Sequence, residues 1–284
     1  MDGLVDEAMN TVLLPNGEKV PTLGQGTWKM GERRDRRVAE IDALRTGVEL
    51  GMTLIDTAEM YGEGAAETLV ADALGTVRDR LFLVSKAYPQ NASRKRLAAA
   101  CEASLRRLGT DRLDLYLLHW RGSIPLSDTV EAMAALKKAG MIRHWGVSNL
   151  DTADMKELLA AGGAACATDQ ILYNLSRRGP EHDLLPWLQD HAMPVMAYSP
   201  VEQGRLLADP TLAAIADRLG ATPAQVALAW TMRGNGVIAI PKAGTAAHVR
   251  ENRAAADLVL PDDVLAELDT AFPRPQARRP LEML

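Results

Sequence analysis

Eight short apolar runs recur along the 284 residues, at 22–28, 54–58, 81–86, 113–119, 142–149, 167–173, 194–200 and 237–242, with helical stretches between them. Within "LFLVSK" and "LDLYLLH" the apolar residues follow one another without alternation. A strand that is apolar on both sides has to be covered on both sides, which is the condition of a parallel sheet wrapped by helices. Eight strand–helix units let such a sheet close on itself. The expected fold is therefore α/β, a closed (β/α)8 barrel of the TIM type. The intervening stretches agree with this. In "SRKRLAAACEASLRRLG" (93–109), Leu97, Ala100, Cys101, Ser104, Leu105 and Leu108 recur at helical spacing, and Gly109 stands where a helix stops. The segments 128–140 and 222–234 read the same way.

An open doubly wound sheet is the competing architecture. Its dinucleotide fingerprint is missing, because Gly24 and Gly26 are followed by Lys29 where a third glycine would stand. Ahead of the first run, Asn16-Gly17 between two apolar stretches predicts a β-hairpin over 11–21 with a type I′ turn. With no linker in sight, residues 1–284 are expected to form one barrel domain ending in a short tail at 273–284.

Composition narrows the partners. The net charge is −5 and the basic residues are scattered apart from 33–37 and 93–96, which sit at helix starts, so no nucleic-acid partner is expected. No apolar run approaches the about 18 residues a membrane helix needs. The first ten residues do not read as an export signal, and Cys101 and Cys166 lack metal or redox spacing. A cytoplasmic protein is expected. His144, His182 and His191 show no ligand spacing, and no metal is expected.

In parallel barrels the chemistry sits at the carboxyl ends of the strands, so the residue that closes each run is the one to inspect. The second run passes through Asp56, the third ends in Lys86, the fourth in His119, and Tyr61 lies just after the second. A phenol titrates near 10, too high for easy proton exchange at neutral pH. A lysinium about 4 Å away favours the phenolate by about 4 kcal/mol at an effective dielectric of 20, or about three pKa units before desolvation opposes it. Asp56 would keep Lys86 charged and in place.

These residues carry a resemblance. The "DTAEMY" stretch, "SK" at 85–86, "LHW" at 118–120, "GVSN" at 146–149, "DQILYN" at 169–174, "AYSP" at 197–200 and "IPK" at 240–242 are together similar to the aldo-keto reductase family, nearly end to end. The resemblance implies a catalytic tetrad of Asp56, Tyr61, Lys86 and His119, with Tyr61 as general acid. It also implies a nicotinamide cofactor across the barrel mouth, bordered by Gly26, Thr27, Trp28 and Asp56. By the same pattern Ser148, Asn149 and Gln170 hold its carboxamide and Tyr198 stacks on its ring. Its phosphates lie along Ser199, Pro200, Val201, Gly204 and Arg205, and along Ile240, Pro241, Lys242, Ala243, Gly244 and Thr245. Glu251 and Asn252 fall near the adenine. His248 stands where the family often has an arginine for the 2′-phosphate, so NADPH is the preferred cofactor with NADH possible. Trp28, Tyr88 and Trp120 are the expected pocket walls, and short rim loops leave the pocket open. That suits small aldehydes, ketones or dicarbonyls, and the motifs look most like bacterial reductases of methylglyoxal. A monomer or weak homo-oligomer is expected by analogy.

Each residue alone has a plainer reading: Asp56 as a cap, Lys86 as a solvated lysine, Tyr61 as a packed loop aromatic, His119 as a satisfied core histidine. It is their joint occurrence that reverses the odds. Two further functions compete with this one. A Schiff-base aldolase needs a neutral Lys86, which Asp56 opposes. The other is an NADPH-binding redox sensor or regulatory subunit with slow turnover.

Overall fold

The computed structural model describes residues 9–234 and 236–284; the start of the chain, where no export signal is expected, lies outside them. Two strands come first, β1 (Thr11–Leu13) and β2 (Lys19–Pro21), paired antiparallel. The hairpin is present, but its turn differs from the expected type I′. The Leu14 carbonyl accepts from Gly17 N–H at 2.8 Å, Leu14 N–H donates to the Glu18 carbonyl at 2.9 Å, and Gly17 has φ +85°. The loop is thus three residues, 15–17. Pro15 is the reason: its ring fixes φ near −65°, which suits the second position of a type I turn and leaves Gly17 to close it left-handed.

Eight parallel strands then follow in chain order: β3 (Gln25–Gly26), β4 (Leu54–Asp56), β5 (Phe82–Ala87), β6 (Leu113–Leu118), β7 (Ile142–Ser148), β8 (Cys166–Leu172), β9 (Val195–Tyr198) and β10 (Val237–Ala239). Parallel bridges from Leu23 to Ala239 and from Gly26 to Lys242 join the first strand to the last, which closes the barrel. Around it stand α1 (Arg37–Glu49), α2 (Ala65–Leu74), α3 (Arg94–Leu108), α4 (Leu126–Lys138), α5 (Thr152–Ala160), α6 (Leu184–Asp190), α7 (Pro210–Leu219), α8 (Pro223–Met232), α9 (Ala246–Ala254) and α10 (Asp262–Ala271). Every residue of β5, β6 and β8 is buried, which is why those runs do not alternate in sequence. The six α3 residues named from periodicity are its buried face, and Gly109 ends the helix in the left-handed conformation. Thr222 and Gln225 form a capping box at the start of α8.

Strand side chains alternate between barrel interior and helix layer. Leu54, Phe82, Val84, Leu115, Leu117, Met196, Ile238 and Ile240 fill the interior, and Val12, Leu14 and Val20 of the hairpin pack with them. The hairpin therefore seals the amino-terminal end of the barrel. Glu18 fastens it there by accepting from Arg143 at 2.7 Å and contacting His144 at 2.8 Å.

Because Leu14 belongs to the interior cluster, Leu14→Ala should cost about 2–5 kcal/mol of unfolding free energy. The urea midpoint should drop at unchanged m-value. A loss below about 0.5 kcal/mol would place the hairpin outside the cooperative core.

Candidate active site

The interior rows turn polar at their carboxyl ends. Two residues beyond interior Leu54 comes Asp56, two beyond Val84 comes Lys86, two beyond Leu117 comes His119, and two beyond Met196 comes Tyr198. Since side chains alternate with a period of two, each of these polar groups continues an inward-facing row. Tyr61 arrives differently, in the short 3-10 turn Tyr61–Gly64 after β4. Gly62, Glu63 and Gly64 all have positive φ, and this reversal swings the chain back over the rim. At Gly64, with φ +92°, a Cβ would lie 2.4 Å from Cδ of Arg107, so the turn needs glycine there.

All four groups are buried. Lys86 Nζ donates to Asp56 Oδ2 at 2.8 Å, to the Thr57 carbonyl at 2.9 Å and to the Tyr61 hydroxyl at 3.1 Å. An ammonium has three protons, and all three are engaged. The other Asp56 oxygen, Oδ1, accepts from Gln170 Nε2 at 2.8 Å. The His119 ring stands edge-on to that of Tyr61, centroids 5.8 Å apart. His119 Nδ1 is sealed from solvent without a partner. Tyr61 accepts from Lys86, and no acceptor for its own proton is found among the described residues.

The charge states follow from burial and neighbours. Burial works against the charge on Lys86 more than any one neighbour supports it, yet the charges and hydrogen bonds of Asp56 and Tyr61 together raise its pKa. Lys86 stays an ammonium, which removes the basis for Schiff-base chemistry. For Tyr61 the expected lowering is reversed. Burial is the largest influence and raises its pKa, Asp56 adds to that, and the charge and hydrogen bond of Lys86 do not offset them. The phenol therefore keeps its proton. Burial, helped by the Lys86 charge, pushes His119 down to about 3, so its imidazole is neutral across the physiological range.

Residues 22–272 match the Aldo/keto reductase family. The chain is 54% identical over 271 residues to methylglyoxal reductase YeaE of Escherichia coli (strain K12), covering 93% of this chain and 95% of that relative. To methylglyoxal reductase DkgB of Escherichia coli O157:H7 it is 34% identical over 245 residues, covering 85% and 89%. A crystal structure of an aldo/keto reductase from Klebsiella pneumoniae in complex with NADP and acetate superposes with TM-score 0.95 at 51% identity, over 98% of this chain and 100% of that one. The chain belongs to the Aldo/keto reductase family.

Beside the tetrad, this oxidoreductase brings together Ser148, Asn149, Gln170 and Tyr198. Ser148 Oγ donates to the Gln170 carbonyl at 2.8 Å, and Asn149, left-handed at φ 60°, donates to the His119 carbonyl at 3.1 Å. The Tyr198 hydroxyl donates to Asn149 Oδ1 at 2.9 Å. Asn149 thus has both amide protons and one lone pair of Oδ1 engaged by protein groups, and Gln170 keeps Oε1 without a protein donor among the described residues. Thr27 is buried, its hydroxyl donating to the Asp56 carbonyl at 3.0 Å, and Gly26 N–H donates to Pro241 O at 3.0 Å. Gly26, Pro241, Ala243 and Asn252 line one cavity.

Around the rim, Pro200 and Ile240 are buried, while Lys242, Thr245 and His248 are exposed at the start of α9 and Gly244 is half-buried. Thr245 caps that helix through His248 N–H at 3.4 Å. Glu251 accepts from the Thr222 hydroxyl at 2.6 Å, so it braces the start of α8. Ser199, with φ 48°, is half-buried, as are Val201 and Gly204. Tyr88 meets Trp120 at 5.9 Å and Trp120 meets His119 at 4.9 Å. Trp28 makes no ring contact with them among the described residues; Lys29 lies over it instead at 4.3 Å.

Two groups at the mouth escape the sequence. Glu202, at φ 50° and 4% exposed, holds Arg177, Arg205 and Asn174. The tail after α10, expected to leave the pocket open, is tied down: Arg274 pairs with Glu181 at 2.5 Å, Arg278 with Asp183 at 2.9 Å, and Glu282 with Arg177 at 2.6 Å. The dense acidic and basic spacing of "SRRGPEHD" was the available signal.

With a folded pKa near 3 against about 6.5 unfolded, the fold favours neutral His119, and its contribution to stability is lost as pH falls below about 6.5. In NMR titration from pH 8 to pH 4 the His119 ring signals should not move. A midpoint above pH 5 would place a solvated or charged partner at that ring.

Proposed function

We propose that this chain reduces small aldehydes, ketones and dicarbonyls of the methylglyoxal type to alcohols, using NADPH in preference to NADH. The observation that carries the reading is a buried phenol whose oxygen is gripped by Lys86 while its proton has no acceptor among the described residues. A reduced nicotinamide supplies a hydride equivalent to the carbonyl carbon. Tyr61 supplies the proton to the carbonyl oxygen, and Lys86 holds the phenolate left behind. Neutral His119 can donate one hydrogen bond to the same oxygen, which stabilises charge where it develops. Asp56 fixes Lys86. Gln170 Oε1, to which no described protein group donates, is consistent with an external ligand at this point.

In this reading Ser148, Asn149 and Gln170 take the carboxamide, Tyr198 the ring, and the 199–205 loop with Lys242–Thr245 the diphosphate. His248 and Lys242 face the 2′-phosphate, with Glu251 and Asn252 toward the adenine. Tyr88 and Trp120 wall a compact pocket, with Trp28 at its edge. The named activities of YeaE and DkgB and the NADP of the Klebsiella structure support this reading. The regulatory-subunit alternative has no comparable support. Action as a single barrel unit, in the cytoplasm, as a monomer or weakly associating homo-oligomer, completes the proposal. Among the described residues no helix is long and apolar enough to cross a membrane.

The test is NADPH oxidation at 340 nm over methylglyoxal, phenylglyoxal, nitrobenzaldehyde and glyceraldehyde, run beside Tyr61→Phe. Wild type should turn over with dicarbonyls preferred, and the variant should bind NADPH yet lose on the order of 10²–10⁴ in rate. NADPH binding without turnover would remove the reductase reading, and a variant within about tenfold of wild type would remove Tyr61 as the acid.

His248→Arg should tighten NADPH relative to NADH, because a bidentate guanidinium grips a phosphate monoester better than an imidazole does. Competition titrations read the ratio directly. An unchanged ratio would take His248 out of the phosphate site.

A further inference from the structure

We propose that Arg177 is a positioning residue that ties the tail at 280–284 to the loop at 199–205, so that cofactor binding and the shape of the substrate side of the mouth are coupled. The proposal rests on reading that loop as the one that meets the diphosphate.

Three observations carry it. The loop's shape is unusual: Glu202, Gln203 and Gly204 are all left-handed, at φ 50°, 55° and 89°. Such backbone persists only where surrounding contacts impose it. Those contacts converge on the buried Glu202 carboxylate, whose Oε1 accepts from Arg177 at 2.8 and 3.1 Å and from Arg205 at 2.7 Å, while Oε2 accepts from Asn174 at 2.8 Å.

Arg177 also faces the other way. Its Nη1 donates to Glu282 at 2.6 Å, so one guanidinium spans the loop and the tail. Its planar fork lets it serve both carboxylates without changing rotamer. Beyond Glu282 the tail reaches the stacking tyrosine, with the Leu284 backbone N–H facing the Tyr198 hydroxyl. Leu281, just before, packs on the core.

Arg205 supplies the trigger. It is 58% exposed yet rests on a buried carboxylate, so an arriving diphosphate competes with Glu202 for it. When Arg205 turns to the phosphate, Glu202 is left to Arg177 and Asn174, and the hold of Arg177 on Glu282 changes with it. By linkage, a tail that stabilises the loop tightens cofactor binding, and a bound cofactor steadies the tail by the same free energy. Because Glu282 is half in solvent, the coupling is modest, about two- to fivefold.

The test places a fluorescent label on Met283→Cys, which is exposed, whereas Cys101 and Cys166 are buried with thiols pushed up to about 12 and stay unlabelled. NADPH should raise the label's anisotropy in the otherwise unchanged protein. Arg177→Met and Glu282→Gln should each remove that response and speed NADPH release about two- to fivefold by stopped-flow fluorescence, and the double variant should release no faster than Arg177→Met alone. A response retained in both variants, or additive release rates, overturns the proposal while leaving the cofactor reading intact. Failure of the unvaried protein to bind NADPH overturns both. Should Arg177→Met fail to fold, Glu282→Gln alone decides, since its side chain is 47% exposed. A purely structural role would lower the melting temperature and leave the NADPH response in place.

Discussion

The three bonds from Lys86 are the constraint on which the rest of the site depends. A fully buried ammonium is costly to remove from water, and that cost is offset only when every proton has an acceptor and the charge has a partner. Asp56, the Thr57 carbonyl and Tyr61 meet this condition together, and they come from β4 and the turn that follows it. The pairing of Asp56 with Val84 and of Lys86 with Leu117 puts β4, β5 and β6 in the register that makes it possible. A one-residue slip in any of these strands would turn its polar end out of the barrel. The arrangement of the candidate tetrad and the strand register are therefore one requirement.

The same parity explains what could be read from the sequence. The eight strands were legible as short runs between helical stretches, most plainly at 81–86 and 113–119, where cover on both faces leaves apolar residues without alternation. The tetrad was legible as three chain positions at strand ends and Tyr61 in the loop that follows one of them. Its convergence could be argued from Leu54–Asp56, Val84–Lys86 and Leu117–His119 only once the interior row was known. What stayed hidden depends on contacts between segments distant in sequence. The direction of the Tyr61 shift turns on burial, which hinges on how completely the rim covers the phenol. The Gln170–Asp56 bond links positions 114 residues apart, and the tail's return to Arg177 spans 105. The hairpin turn is a local miss, since Pro15 was present to be weighed against the Asn-Gly pair.

Ion pairs around the barrel differ in kind. At the amino-terminal end Asp114 accepts from Leu83 N–H and is paired with Arg78 and Arg143, while Glu18 holds the hairpin in place. Asp114 is buried and Arg78 largely so, while Arg143, which joins Asp114 to Glu18, is partly exposed. At the mouth, Glu202 shares its oxygens with an exposed Arg205, so part of its satisfaction is exchangeable. Glu202 is the one of these acids that lies at the mouth, where an arriving ligand competes for its exposed arginine, whereas Asp114 and Glu18 lie at the opposite end.

Backbone strain divides the two ends in the same way. Of seven non-glycine residues with positive φ among the described residues, Lys29, Glu63, Asn149, Ser199, Glu202 and Gln203 lie in loops that leave the carboxyl ends of strands, and only Ala192 lies elsewhere. Each such residue costs on the order of 1–3 kcal/mol and persists where the surroundings over-determine it. Strain, an unpartnered imidazole nitrogen and a phenol proton without an acceptor are each unfavourable for folding, and here they fall on one face. The opposite face carries a sealed hairpin. Buried polar atoms without a partner also occur outside this cluster, at Tyr116, Asp169 and Trp230, so it is the strained backbone that sets the carboxyl-terminal end apart. The strained loops therefore single out the carboxyl-terminal end, where the chemistry is proposed, independently of any likeness to other proteins.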